Sequence, residues 1–87
     1  MAMLNPQDEI VANRFSKQEA KERLGRPVCS KVAIDGIPAG ARGYVMQVDQ
    51  MEGNSYELIV EWHQLVEGKR QHNWFSRDEY ERCLTDV

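Results

Sequence analysis

Four side chains in this 87-residue sequence have the chemistry to hold a metal ion or attack a substrate: Cys29, His63, His72 and Cys83. A zinc site in a small domain usually shows close ligand pairs, C-x-x-C or H-x-x-x-H, because each pair fixes two ligands at once. No such pair is present, so no metal ligand is expected. Attack by Cys29 would require a neighbouring base that lowers its pKa. Strand alternation instead sets Cys29 opposite Val28 and Val32, and nothing in the sequence brings a histidine beside it. The adjacent acids Asp78 and Glu79 suit the first turn of a helix, where the helix dipole favours carboxylates, better than acid-base work. The expectation is therefore no catalytic residue, no cofactor and no metal.

The segment I-D-G-I-P-A-G-A-R-G-Y-V-M, Ile34 to Met46, raises a different possibility, phosphate capture by Gly36, Gly40 and Gly43. A phosphate loop needs glycine-rich backbone at the mouth of a helix, where free N–H groups and the dipole converge on the anion. Here the glycines lead into Tyr44-Val45-Met46-Gln47-Val48, a strand pattern, and the sequence has neither G-K-[ST] nor G-x-G-x-x-G. Gly40-Ala-Arg-Gly43 has the G-x-x-G spelling of a nucleic-acid clamp, but that clamp lies between two helices. The glycines are expected to turn the chain: Gly36 and Gly40 by adopting positive φ, and Gly43 by letting a backbone or ring approach the next strand.

The surrounding elements follow from period and punctuation. Residues 1–13 show no clear period and contain Pro6, which reads as a loose arm ahead of a single domain over 14–87. In F-S-K-Q-E-A-K-E-R-L-G, Ser16 caps a short helix, Glu19 reaches back, Phe15 can staple onto Ala20, and Gly25 closes the turn before Pro27. P-V-C-S-K-V-A-I alternates, with Val28, Val32 and Ile34 on one face. From Tyr44 to Gln50, Tyr44, Met46 and Val48 point one way and Val45 and Gln47 the other. Tyr56, Leu58, Val60 and Trp62 set against Glu57, Ile59, Glu61 and His63 give the clearest half-buried strand, with Trp62 in the core. A turn at V-E-G-K leads to R-Q-H-N-W-F. Ser76, Glu79 and the Phe75–Tyr80 staple then repeat the first helix's entrance, and Cys83 follows as a small hydrophobe. Trp74 and Phe75 cannot share a face, so one of them lies at the surface unless a helix covers it. The balance favours a helix doing so, but left bare beside Arg42, His72 or Tyr44 it becomes a docking anchor.

Short strands in a chain that buries only about 60% of its unfolded surface are most readily stabilised by curling up. The expected fold is mainly β, an SH3-like small antiparallel β-barrel with a short N-terminal helix and a short C-terminal helix. The absence of a long apolar run or signal peptide, together with two isolated cysteines, predicts a soluble cytoplasmic protein with no membrane partner. A net charge of −3 and a pI near 5.3 disfavour general nucleic-acid binding. Charge is uneven: Arg14 to Lys31 holds six bases against two acids, and Asp49 to Glu67 five acids and no lysine or arginine. The basic block reads first as a solvated helix face.

V-A-I-D-G-I-P-A-G-A-R-G-Y-V-M-Q-V-D, Val32 to Asp49, resembles the KOW segment of ribosomal proteins and transcription elongation factors, which implies an SH3-like barrel and contacts with RNA or protein. Gly43 to Glu79, through G-Y-V-M-Q-V-D-Q, Tyr56 with L-I-V-E-W, and N-W-F-S-R-D-E, is similar to SH3-like electron-transport accessory proteins such as the small SH3-like accessory protein of photosystem I and the variable chain of ferredoxin-thioredoxin reductase. That similarity implies a cofactor-free docking protein. The expected function is a non-catalytic protein–protein interaction module, with Arg42, Tyr44, His72 and Trp74 as candidate partner-binding residues. The alternatives are a KOW-like RNA- or ribosome-associated module using Arg42, the glycine turn and the basic block, and, more weakly, a small enzyme or metal-binding subunit.

Overall fold

The computed structural model describes residues 14–87, so the expected arm over residues 1–13 lies outside the described residues. The elements run α1 (Lys17–Arg23), β1 (Pro27–Ser30), β2 (Arg42–Gln50), β3 (Tyr56–Val66), β4 (Lys69–Phe75), α2 (Arg77–Cys83) and β5 (Leu84–Asp86). The five strands form one antiparallel sheet in the order β4-β3-β2-β1-β5. Strands β4 and β5 stand at its two ends and do not pair with each other, so the ladder is not closed.

Both helices begin as their sequences require. Ser16 and Ser76 each accept from the backbone N–H of the glutamate three residues on, and the Glu19 and Glu79 carboxylates accept in return from the capping residue's N–H. These reciprocal bonds satisfy donors that a helix leaves unpaired at its start. Arg77 joins the two entrances by pairing with Glu19. At the far end of α2, Lys31 donates its backbone N–H to the Cys83 carbonyl at 2.7 Å and its Nζ to the Glu81 carbonyl at 2.9 Å.

The core contains Phe15 and Ala20 from the first helical segment, Val28, Val45, Leu58, Val60 and Trp62 from the sheet, and Phe75, Tyr80 and Leu84 from the last third of the chain. Phe15 and Tyr80 meet edge to face at 5.7 Å, and the Arg23 guanidinium lies over both rings, at 5.0 and 5.7 Å. The Tyr80 hydroxyl donates to Asp86 Oδ1 at 3.0 Å. Burial, that hydrogen bond and the Asp86 charge push the phenol up to about 12, so it remains a donor at neutral pH.

The glycine segment turns the chain. Ile34 and Ile37 exchange both backbone hydrogen bonds, at 2.8 and 2.7 Å, around Asp35 and Gly36, whose φ values are 41° and 85°. Positive φ at both central residues is the geometry of a type I′ turn. Gly40 has φ 88° and returns the chain towards β2. Gly43 acts differently: a Cβ there would lie 2.5 Å from the Glu61 carbonyl oxygen and 3.0 Å from the Trp62 ring.

Two strand expectations are corrected. The first strand ends at Ser30, and Val32 is exposed. Buried Ser30 donates through Oγ to the Pro38 carbonyl at 2.8 Å and accepts from the Ala41 N–H at 3.1 Å, which bends the chain into the turn. Without the hydroxyl, the Ala41 N–H and the Pro38 carbonyl keep only their own 3.2 Å bond, so Ser30→Ala should lower stability by about 1 kcal/mol, read as a lower urea midpoint at unchanged slope. In β2, Val45 pairs with Val60 but Gln47 pairs with Ile59, so Met46 is a bulge. The inward set is therefore Gly43 and Val45 before the bulge and Val48 after it, and Tyr44 and Val48 do not share a face.

Candidate functional site

The register places the four candidate residues on one face. Gly43, Val45, Trp62 and Phe75 point into the core, so alternation turns Arg42 and Tyr44 of β2 and His72 and Trp74 of β4 to the opposite side. Between them runs β3, contributing Ile59 and Glu61. Tyr44, Glu61 and His72 stand side by side in one row, and Gln47, Ile59 and Trp74 in the next.

The first row is a polar cluster. Glu61 Oε2 lies 3.0 Å from His72 Nε2, and its Oε1 lies 3.7 Å from Arg70 Nε. Arg70 also donates to the His63 carbonyl at 3.4 Å, and the Tyr44 and His63 rings lie 6.3 Å apart at a 36° tilt. Such partly exposed pairs contribute little to stability, but they fix the orientation of side chains that a partner would meet.

The second row centres on Trp74. Among the described residues no helix covers this indole, which is 51% exposed, while its neighbour Phe75 is buried. Trp74 Nε1 donates to Asp49 Oδ2 at 3.1 Å. Asp49 lies on β2 and Trp74 on β4, so the ring must cross β3. The residue opposite Trp74 there is Ile59, 6% exposed on the side away from the core. Strand alternation alone puts Ile59 among the solvent-facing residues; it is buried because the tryptophan lies across it. Asp49 and Ile59 join the site only through the structure. The nearest signal in the sequence is an isoleucine in the polar register of an otherwise regular strand.

Glu57 stands directly opposite Asp49. Partial burial raises its pKa, with further contributions from Glu79 and Asp49, against which Arg14 acts. A carboxyl whose folded-state pKa is raised stabilises the fold at low pH and loses that contribution as pH rises through the folded value. Glu57→Gln should therefore raise the thermal midpoint at pH 7 and leave it nearly unchanged near about pH 3.5, where the native carboxyl is already protonated in both states.

The remaining chemistry-bearing residues do not converge. Cys29 lies on β1 opposite Thr85 and Arg42; its thiol makes a weak contact with its neighbour's carbonyl, Ser30 O, at 3.8 Å. Cys83 packs against the core, and both thiols are free. Among the described residues no three histidine, cysteine or acidic side chains gather as a metal site would require. No helix among the described residues is long and apolar enough to cross a membrane. Several members of the basic block have internal partners: Arg14 donates to Ser55, Arg23 stacks on Phe15 and Tyr80, and Lys31 caps α2.

Comparison with protein families, with characterised proteins and with solved structures finds no match to this chain. The arrangement itself offers a half-exposed indole on an apolar seat, flanked by the tilted Tyr44–His63 ring pair and mixed charge. It is suited to contact with another surface.

Proposed function

We propose that the chain is a non-catalytic protein-interaction module, an SH3-like partly open barrel that docks through the sheet face carrying Arg42, Tyr44, His72 and Trp74. The observation that carries this reading is Trp74, held across β3 by Asp49 with half of its surface bare. Tryptophan and arginine dominate interface energies because they fill pockets and lose little entropy once pinned. The barrel reading is supported by a strand order in which β1 is shared by β2 and β5, with a short helix between β4 and β5. Free thiols at Cys29 and Cys83 fit a role in the reducing cytoplasm.

The test is capture from native lysate at low salt, followed by identification of bound proteins. A specific partner retained by the wild type should be lost with Trp74→Ala and weakened by Arg42→Ala, with both variants still folded by circular dichroism. Loss of about 2 kcal/mol or more at Trp74 is the hot-spot expectation. No specific partner, or one indifferent to Trp74, overturns the proposal. Generic RNA serves as the counter-probe: binding at about 50 mM salt that falls steeply as salt rises supports the KOW-type alternative instead.

A further inference from the structure

A second surface, which meets the Trp74 face only at Gln47, is built where α1 meets the bulged strand. Residues 17, 21 and 24 follow the i, i+4, i+7 spacing of one helical stripe, which runs along the border of the face that buries Ala20. They form one wall of a groove of about 470 Å³ whose other apolar members are Met46, Val48 and Tyr56. Leu24 is 53% exposed at its base, and the Met46 bulge opens β2 towards it. Lys17 and Lys21 line the same groove. Among the described residues neither lysine forms an ion pair. The nearby acid Glu22 accepts a hydrogen bond from Gln18. The basic block thus keeps two uncommitted charges, and both overlook exposed hydrocarbon.

The geometry points to a binding groove for an extended acidic peptide segment of a partner protein, in which carboxylates alternate with apolar side chains. Charge complementarity selects the acid. Spacing selects the extended chain: Lys17 and Lys21 are one turn apart, roughly 6 Å along the helix axis, against about 6.8 Å between alternate side chains of a strand. Carboxylates directed at α1 would leave the intervening side chains to cover Met46 and Val48 on the other wall, with Leu24 extending the apolar surface on the helix side. A nucleic-acid strand has similarly spaced charges, but its bases would meet an aliphatic floor with a single aromatic ring, Tyr56, and a protein of net charge −3.

The test uses the full chain labelled with nitrogen-15 and titrated with an alternating Glu-Leu hexapeptide, its Gln-Leu counterpart, oligothymidylate and myristate. The expected result is shifts of the Lys17, Lys21, Leu24 and Gln47 amides with the Glu-Leu peptide, whose affinity exceeds that of the Gln-Leu peptide at least tenfold. Raising salt from about 50 to about 300 mM should weaken it by a similar factor. Lys17→Glu with Lys21→Glu should reduce affinity at least tenfold while leaving the rest of the amide spectrum in place. Leu24→Ser, a change at an exposed position, reports on the apolar part and should weaken binding several-fold; Trp74→Ala should have no effect on this peptide. The inference is overturned if the Glu-Leu peptide leaves these amides unmoved or the lysine reversals do not weaken it. It is equally overturned if only oligothymidylate or myristate binds there, or if the same amides shift with protein concentration alone because a second copy occupies the groove.

Discussion

Gly43→Ala lowers the stability of the protein by about 3 kcal/mol, at the upper end of the range for overpacking a close-packed interior. The added methyl would lie 2.5 Å from the Glu61 carbonyl oxygen and 3.0 Å from the Trp62 ring. A flexible side chain could swing aside, but Glu61 O is backbone in the central strand, and Trp62 is fully buried. Relief therefore requires β2 and β3 to separate where they are paired. Against a total stability of roughly 5–15 kcal/mol for a domain, that change moves the urea midpoint far or prevents purification of folded protein. Gly53→Ala is the control: φ is 69°, but nothing lies within 4 Å of the new atom, so only backbone strain of about 1–2 kcal/mol is expected. Equal losses at the two positions would show that close approach is not what Gly43 provides.

Trp62→Ala has an effect of similar size or larger, about 3–5 kcal/mol, because it empties the largest fully buried side chain in the described core. The indole is more than filler. Its Nε1 donates to Asn73 Oδ1 at 2.7 Å, and Asn73 Nδ2 donates to Asp35 Oδ2 at 3.4 Å, which links the core to the type I′ turn. Trp62→Phe keeps much of the ring and removes the donor. Combined with Asn73→Leu in a double-mutant cycle, it should show a coupling energy near about 1 kcal/mol, since removing both partners strands neither. Additive losses would mean that the indole contributes through volume alone.

These two positions also mark what is legible without the fold. Local rules carry the helix entrances at Ser16 and Ser76, the turning role of Gly36 and Gly40, and the inward set of β3, because each depends on residues within a few positions of one another; at Gly43 the glycine in a strand pattern signals a close approach, but its partners Glu61 and Trp62 come from β3. The bulge at Met46 is not legible: an extra residue is defined by the partner strand's register, and β2 alternates plausibly in either reading. The end of β1 at Ser30 depends on Pro38 and Ala41, which lie across the turn. Alternation assigns Ile59 to solvent because its cover, Trp74, arrives from the next strand and is fixed by Asp49 of another. The four candidate contact residues do share a face, but the groove beneath Lys17 and Lys21 depends on both the bulge and the helix packing.

The position of β1 between β2 and β5 has a consequence for the order of assembly. Turns Glu67–Gly68 and Asp35–Gly36 can close early because the segments they join are neighbours in sequence. Pairing Val28 with Asp86 must enclose nearly the whole domain in a loop, and the entropy of that closure is regained only when Leu84 and Tyr80 are seated. Substitutions in β5 should then accelerate unfolding and leave the refolding rate almost untouched, whereas those in the β2–β3 hairpin should slow refolding.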